Sequence, residues 1–255
     1  MLKQISDVVL KAGSIVSSGF HSAKTIKHKG EVDLVTEYDI RTENFLKEKL
    51  QKIFPSFTII GEETHAEGKY PSENVIFIDP IDGTTNFVHG VPFVALSVGV
   101  ITDTETKYGV VYNPVLDELY SAETGKGSFC NGLPIKVSET SSLINSLIST
   151  GFPYKKDNLP YLMKVLEEVL KTSRGIRRAG AASLDLCYTA RGIYDLYYET
   201  RLQPWDMAGG LIIVREAGGI VTKLDGRYHD MDSDSLIASN GLLHREFLNL
   251  LNEIR

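Results

Sequence analysis

Apolar residues recur along this chain in two rhythms that take turns, and that alternation limits its fold more than any other feature. Leu2, Ile5, Val8, Val9, Ala12, Ile15 and Val16 fall at helical spacing and predict an amphipathic first helix. Residues 39–54 predict a second, with Ile40, Phe45, Leu46, Leu50, Ile53 and Phe54 apolar and Pro55 closing it. Short β-rich runs follow at 57–60, 75–78, 93–101 and 108–112, and 118–122 and 135–137 read as hairpin partners around Gly125, Gly127 and Gly132. The second half interleaves strands at 147–150, 194–198 and 236–238 with helices at 159–170, 181–190, 205–217 and 242–254. Such interleaving implies a layered α/β or α+β architecture. There is no repeat and no long linker, so residues 1–255 are expected to form one domain, with a soft junction at 138–142 between halves of roughly 1–140 and 141–255.

Composition narrows the function. The net charge of −6 disfavours a phosphate backbone as ligand, so nucleic acid is not expected. The same acidity suits divalent cations. Cys130 and Cys187 stand without a CxxC pair or a His/Cys cluster, which argues for buried free thiols in a reducing compartment rather than zinc or disulfides. Asp7 and Lys11 interrupt what would be a leader's apolar core, and the longest apolar stretch, at 91–101, is too short to cross a bilayer. A cytoplasmic protein is expected.

The sharpest local feature is Ile78-Asp79-Pro80-Ile81-Asp82-Gly83-Thr84-Thr85-Asn86. It starts at the end of an apolar strand, where α/β folds place ligands. Pro80 and Gly83 turn the chain between and after two carboxylates, so Asp79, Asp82 and the Ile81 carbonyl can face one point, as Mg²⁺ requires. Thr84 and Thr85 add hydroxyls and open a helix whose free N–H groups favour an anion. A purely local reading, an Asp-rich turn with capping residues, accounts for the same composition. Gly61-Glu62-Glu63 follows another apolar strand, and Asp206 in Pro204-Trp205-Asp206 begins a helix. Asp39 and Asp206 could each be no more than a helix cap.

Taken together, Asp33-Leu34-Val35-Thr36 with Asp39, Gly61-Glu62-Glu63, Asp79 through Phe87, and Pro204-Trp205-Asp206 with Glu216-Ala217-Gly218-Gly219 resemble the inositol monophosphatase family, in family order and over nearly the whole chain. The resemblance implies an αβαβα five-layered sandwich, a homodimer and two or three Mg²⁺ ions per site. It implies that Glu62, Asp79, the Ile81 carbonyl, Asp82 and Asp206 hold metal. Asp39 and Thr84 would orient or deprotonate the attacking water, with Glu62 the competing candidate. Asp82, Gly83, Thr84, Gly180, Ala181, Ala182, Glu199 and Asp206 would contact substrate, and Lys29 would sit in a loop completing the metal site. The implied activity is hydrolysis of inositol monophosphate or a related small polyol phosphate. Broader action on fructose 1,6-bisphosphate or NADP, and a regulatory role beside the transcription machinery, are the alternatives.

Near the substrate the chain departs from its animal relatives. Ala181 stands where they carry threonine, and residues 151–173 are not recognisably alike. Arg174, Arg177, Arg178, Arg191 and Arg201 crowd this region and suit either surface pairing or a second phosphate. Gly125-Lys126-Gly127-Ser128 lacks the spacing of a nucleotide loop and predicts a tight turn. His89 has no partner of metal-binding type and is expected to be structural.

Overall fold

The computed structural model describes residues 1–22, 24–28, 34–65, 70, 74–153 and 158–254. The first half runs α1 (Leu2–Phe20), β1 (Ile26–His28), β2 (Leu34–Thr36), α2 (Glu37–Ile53), β3 (Thr58–Gly61), β4 (Val75–Asp82), α3 (Thr84–His89), β5 (Ala95–Thr102), β6 (Glu105–Asn113), β7 (Glu118–Glu123), β8 (Ser128–Cys130) and β9 (Leu133–Pro134). The second runs β10 (Leu147–Thr150), α4 (Leu159–Thr172), β11 (Gly175–Arg177), α5 (Ala182–Ala190), β12 (Leu196–Thr200), α6 (Pro204–Glu216), β13 (Ile220–Thr222), β14 (Ser235–Ser239) and α7 (His244–Ile254).

Among the described residues, seven strands form one sheet in the order β3-β4-β5-β6-β7-β8-β9 and five form another in the order β11-β10-β12-β14-β13. Only β3 runs parallel to β4 in the larger sheet, whereas β10 is parallel to both its neighbours in the smaller. The apolar stripe of α1 and Leu46 and Leu50 of α2 pack on Ile76, Ile78, Leu96 and Val98 of the larger sheet. Leu184 and Cys187 of α5 and Met207 and Leu211 of α6 fill the space between the two sheets. Val165 and Val169 of α4 and Phe247 and Leu251 of α7 cover the outer face of the smaller sheet. The layers therefore run αβαβα. Both cysteines are buried free thiols, and no helix among the described residues is long and apolar enough to cross a membrane.

The central position of α6 explains its sequence. It is buried almost all round, so it carries no amphipathic stripe, and it lies close against the larger sheet. A Cβ on Gly109 would stand 2.3 Å from the Gly209 carbonyl oxygen, and one on Gly99 would stand 2.4 Å from the Ala208 Cβ. Gly109→Ala is therefore expected to force α6 off the sheet, at a cost of about 1–3 kcal/mol or more, read as a lowered melting temperature.

Two strand expectations need correction. Residues 135–137 are not a strand: Asn131 and Gly132 both take positive φ, of 49° and 77°, and close a two-residue hairpin in which Cys130 pairs Leu133. This Asn-Gly turn sets the return strand at 133–134; its pairing closes with the Ile135 amide on Ser128 O, and Val137 then donates to Ala217 O at the end of α6. The strand expected at 194–198 lies at Leu196–Thr200; before it the Tyr194 amide still donates to Tyr188 O in the turn after α5, and Asp195 bonds Leu147 O and the Asn240 amide at the strand's entry. The Gly125–Ser128 stretch is the expected tight turn, held by Glu216, which accepts the Gly125 and Gly127 amides.

Candidate active site

All eight residues of β4 are buried, and its end carries two acids. Residues three apart on a regular strand face opposite sides. Here Asp79 pairs Ser97 and Asp82 pairs Ala95, so β4 holds one residue more than β5 over the same span. That bulge at Pro80-Ile81 changes the parity and turns both carboxylates to one side. Pro80, with no N–H, fits the unpaired position. The Ile81 amide donates to Asp79 Oδ1 at 3.1 Å. Gly83 follows at φ +90°, where its missing Cβ avoids the Phe93 and Gly180 carbonyl oxygens. The Thr84 hydroxyl, at the start of α3, then lies 3.0 Å from the Ile81 carbonyl and 3.2 Å from Asp39 Oδ1.

Asp39 and Asp206 reach this point from two helix starts by the same device. Each is the third residue of its helix and closes a capping box with Thr36 or Gln203. Asp39 Oδ2 accepts the Thr36 amide and hydroxyl at 2.8 and 2.6 Å, and Asp206 Oδ2 accepts the Gln203 amide at 2.7 Å. Helix capping and service in the site are thus compatible, because a carboxylate has two oxygens. Thr36 and Gln203, rather than the acids, occupy the cap positions. Glu62 arrives by extension of the parallel β3–β4 ladder: its amide donates to Ile78 O at 3.1 Å, which sets it beside Asp79.

Burial first, and then the charges of Glu62, Asp82, Asp206 and Asp39, push Asp79 well above the usual carboxylate range. Burial likewise raises Asp206 well above it. Burial also lifts Asp39 and Asp82 to about 6, opposed by hydrogen bonds from Thr36 and from Ser183. Among the described residues no lysine or arginine pairs with these four aspartates. No three His, Cys, Asp or Glu side chains among the described residues form a closed ion cage as placed; the carboxylates are instead turned toward hydrogen-bond donors of their own chain. The four aspartates, which repel one another, and the Ile81 carbonyl are hard oxygen donors, and such a set fits a hard divalent ion such as Mg²⁺ or Mn²⁺.

Asp82 and Asp206 open onto a cavity of about 410 Å³, whose walls also include Gly83, Thr85, Gly151, Phe152, Pro153, Arg178, Gly180, Ala181, Ala182, Glu199, Arg201 and Leu202. Two larger surface grooves lie away from it, one between α4 and α7 and one beside β9; the buried acids are in neither. Glu199 Oε2 accepts the Tyr197 hydroxyl at 2.5 Å, and burial lifts Glu199 to about 7. Asp82 Oδ2 accepts both the amide and the hydroxyl of Ser183, at 2.7 and 2.5 Å, which ties β4 to the start of α5.

The structure thus gathers Asp39, Glu62, Asp79, Ile81, Asp82, Thr84 and Asp206, with Gly83, Gly180, Ala181, Ala182 and Glu199 around the adjoining cavity. Lys29 and Asp33 lie outside the described residues. Of the arginines, Arg178 and Arg201 line the cavity. Arg191 instead pairs Glu118 at 2.6 Å, Arg174 donates to Asn145, and Arg177 is exposed on β11. His89 is exposed at the end of α3. Sequence reasoning missed Ser183, whose only signal is its place directly after Ala181-Ala182. It also missed Glu43, one helical turn beyond Asp39.

Comparison with known proteins finds relatives over the whole chain. The family model described as "Inositol monophosphatase family" matches residues 1–255. Among curated proteins, inositol monophosphatase 3 of Solanum lycopersicum is 42% identical over 99% of this chain and 98% of its own length. Among solved structures, the extragenic suppressor protein suhB of Bartonella henselae superposes with a TM-score of 0.93 at 34% identity, covering 98% of each chain. The Thermotoga maritima IMPase superposes with a TM-score of 0.89 at 37% identity, covering 98% of this chain and 95% of that one.

Proposed function

Since the chain belongs to the inositol monophosphatase family and is a phosphoric monoester hydrolase, we propose that it cleaves inositol monophosphate or a closely similar polyol phosphate with the help of Mg²⁺. The observation that carries this reading is the convergence of buried and half-buried carboxylates from α2, the end of β3, β4 and α6 beside a cavity that has Asp82, Asp206 and Glu199 among its walls. Glu62, Asp79, the Ile81 carbonyl, Asp82 and Asp206 would hold the ion. When bound, Mg²⁺ supplies charge neutralisation at the phosphoryl oxygens and lowers the pKa of water. The Thr84 hydroxyl, 3.2 Å from Asp39 Oδ1, can pass a proton to that oxygen, and a carboxyl at about 6 is near the operating pH, as a general base should be. Gly83 and Thr85 bring the start of α3 to the cavity wall, where unpaired N–H groups attract phosphate. Glu199, at about 7, can accept or donate a hydrogen bond to the hydroxyls of a polyol, while Ala181 and Ala182 leave room for its ring.

Phosphate release with Mg²⁺ should be fastest from inositol 1-phosphate in a panel that also holds fructose 1,6-bisphosphate, NADP and 3′-phosphoadenosine 5′-phosphate. A faster rate on any of the others would move the substrate assignment, and no release from any of them would end it.

A further inference from the structure

One fully buried carboxylate close to the site has no part in the mechanism above. Glu43 lies four residues after Asp39, on the same face of α2, and is 0% exposed. Its Oε2 accepts the Glu63 amide at 2.7 Å, its Oε1 accepts the Thr64 hydroxyl at 2.5 Å, and Lys47 Nζ lies 3.0 Å from Oε1. The Gly61 backbone is fitted to it: a Cβ there would stand 2.3 Å from the Glu43 Cδ. The carboxylate therefore sits over the end of β3 and binds the two residues that follow Glu62.

We propose that Glu43 is a positioning residue for Glu62, and through it for the divalent ion; this rests on the metal-dependent reading of the site. On the β4 side the Glu62 amide donates to Ile78 O, just after the β3–β4 ladder has ended at Gly61. Past that point Glu43 anchors the turn from α2, through the Glu63 amide and the Thr64 hydroxyl. The same helix fixes Asp39, whose Oδ1 lies 3.2 Å from the Thr84 hydroxyl. One rigid element thus sets the β3 turn and the β4 turn relative to each other, which metal geometry requires of supporting groups. Glutamate suits the position because its two donors and the Lys47 ammonium all need acceptors, and an ionised carboxylate is acceptor-only. A glutamine would turn an NH₂ toward one of them.

The test is Mn²⁺ affinity, measured by electron paramagnetic resonance on the metal-stripped full chain, with melting temperature followed in parallel. Glu43→Gln is expected to weaken Mn²⁺ binding by roughly 10–100-fold, the usual cost of removing a supporting partner. Thr64→Val, which deletes one of the bonds, should weaken it less, and Gly61→Ala should act in the direction of Glu43→Gln. In a Glu62→Gln background, Glu43→Gln should have no further effect on affinity, because the residue it supports is gone. Should Glu43→Gln fail to fold, Gly61→Ala and Thr64→Val are read in the same cycle against Glu62→Gln. Unchanged Mn²⁺ affinity in these folded variants, or equal losses with and without Glu62, would overturn the proposal and leave Glu43 a fold-stabilising residue. Absence of Mn²⁺ binding by the wild-type chain would instead refute the metal-dependent reading itself.

Discussion

Asp82→Asn is expected to melt at a higher temperature than the wild type in EDTA at pH 8, yet to hydrolyse substrate at least about 100-fold more slowly with Mg²⁺ present. The two effects share one cause. Asp82 is buried among Glu62, Asp79 and Asp206, so without a cation its negative charge is unfavourable to the fold. Asparagine keeps the shape, and its carbonyl oxygen still accepts the Ser183 amide and hydroxyl that Asp82 Oδ2 accepts. What is lost is charge, which the fold gains by losing and a cation site cannot spare. Sites built this way trade stability for activity. Thermal melts in EDTA and initial rates of phosphate release in Mg²⁺ are the measurements. Near-normal turnover would remove Asp82 from the site.

Without divalent ions the wild-type protein is expected to gain stability as pH falls from 8 toward 5, the reverse of ordinary acid denaturation. Glu199 titrates at about 7 in the folded chain, and Asp39 and Asp82 at about 6, whereas unfolded carboxyls titrate near 4. Between those limits the folded state binds more protons than the unfolded state, so stability rises as pH falls. The gain begins near pH 7 and is complete near pH 4. His229 opposes it in part. Burial, with Arg215 beside it, holds His229 down at about 4, so protonation of the unfolded chain below about 6.5 favours unfolding. Burial lowers His244 as well, so two imidazoles act against at least three carboxyls, and the carboxyls prevail. A gain of at least about 5 °C is expected, since displacing one carboxyl by one pH unit is worth about 1.4 kcal/mol and a chain of this size moves about 2–4 °C per kcal/mol. Added Mg²⁺ should raise the melting temperature more at pH 8 than at pH 5, because protons and cations compete for the same oxygens. A metal-free melting temperature that stays flat or falls from pH 8 to 5, or equal Mg²⁺ effects at both, would show that the acids do not share a charge-crowded pocket.

Much of the layering was legible because it follows from periodicity. The stripe of α1 and the apolar run of β4 are local patterns with local causes. The strands that escaped, β1, β2, β8, β9, β11 and β13, have three residues or fewer, too short for a period of two to stand out. The hairpin at Asn131-Gly132 did carry a signal, the Asn-Gly pair, which the spread of nearby glycines obscured.

The sequence by itself determined the kind of chemistry available: hard oxygen donors at strand ends and helix starts, no cysteine or histidine cluster, and a turn motif whose order of residues marks its family. The tertiary structure alone decided that residues 39, 62, 79, 82 and 206 meet. A one-residue bulge brings Asp79 and Asp82 to the same side of β4, two capping boxes aim Asp39 and Asp206, and the parallel β3–β4 ladder delivers Glu62. Spacing along a chain specifies which neighbours share a face within one element, but the distance between elements is set by packing, and here it is the packing of α2 and α6 against the larger sheet that closes the site.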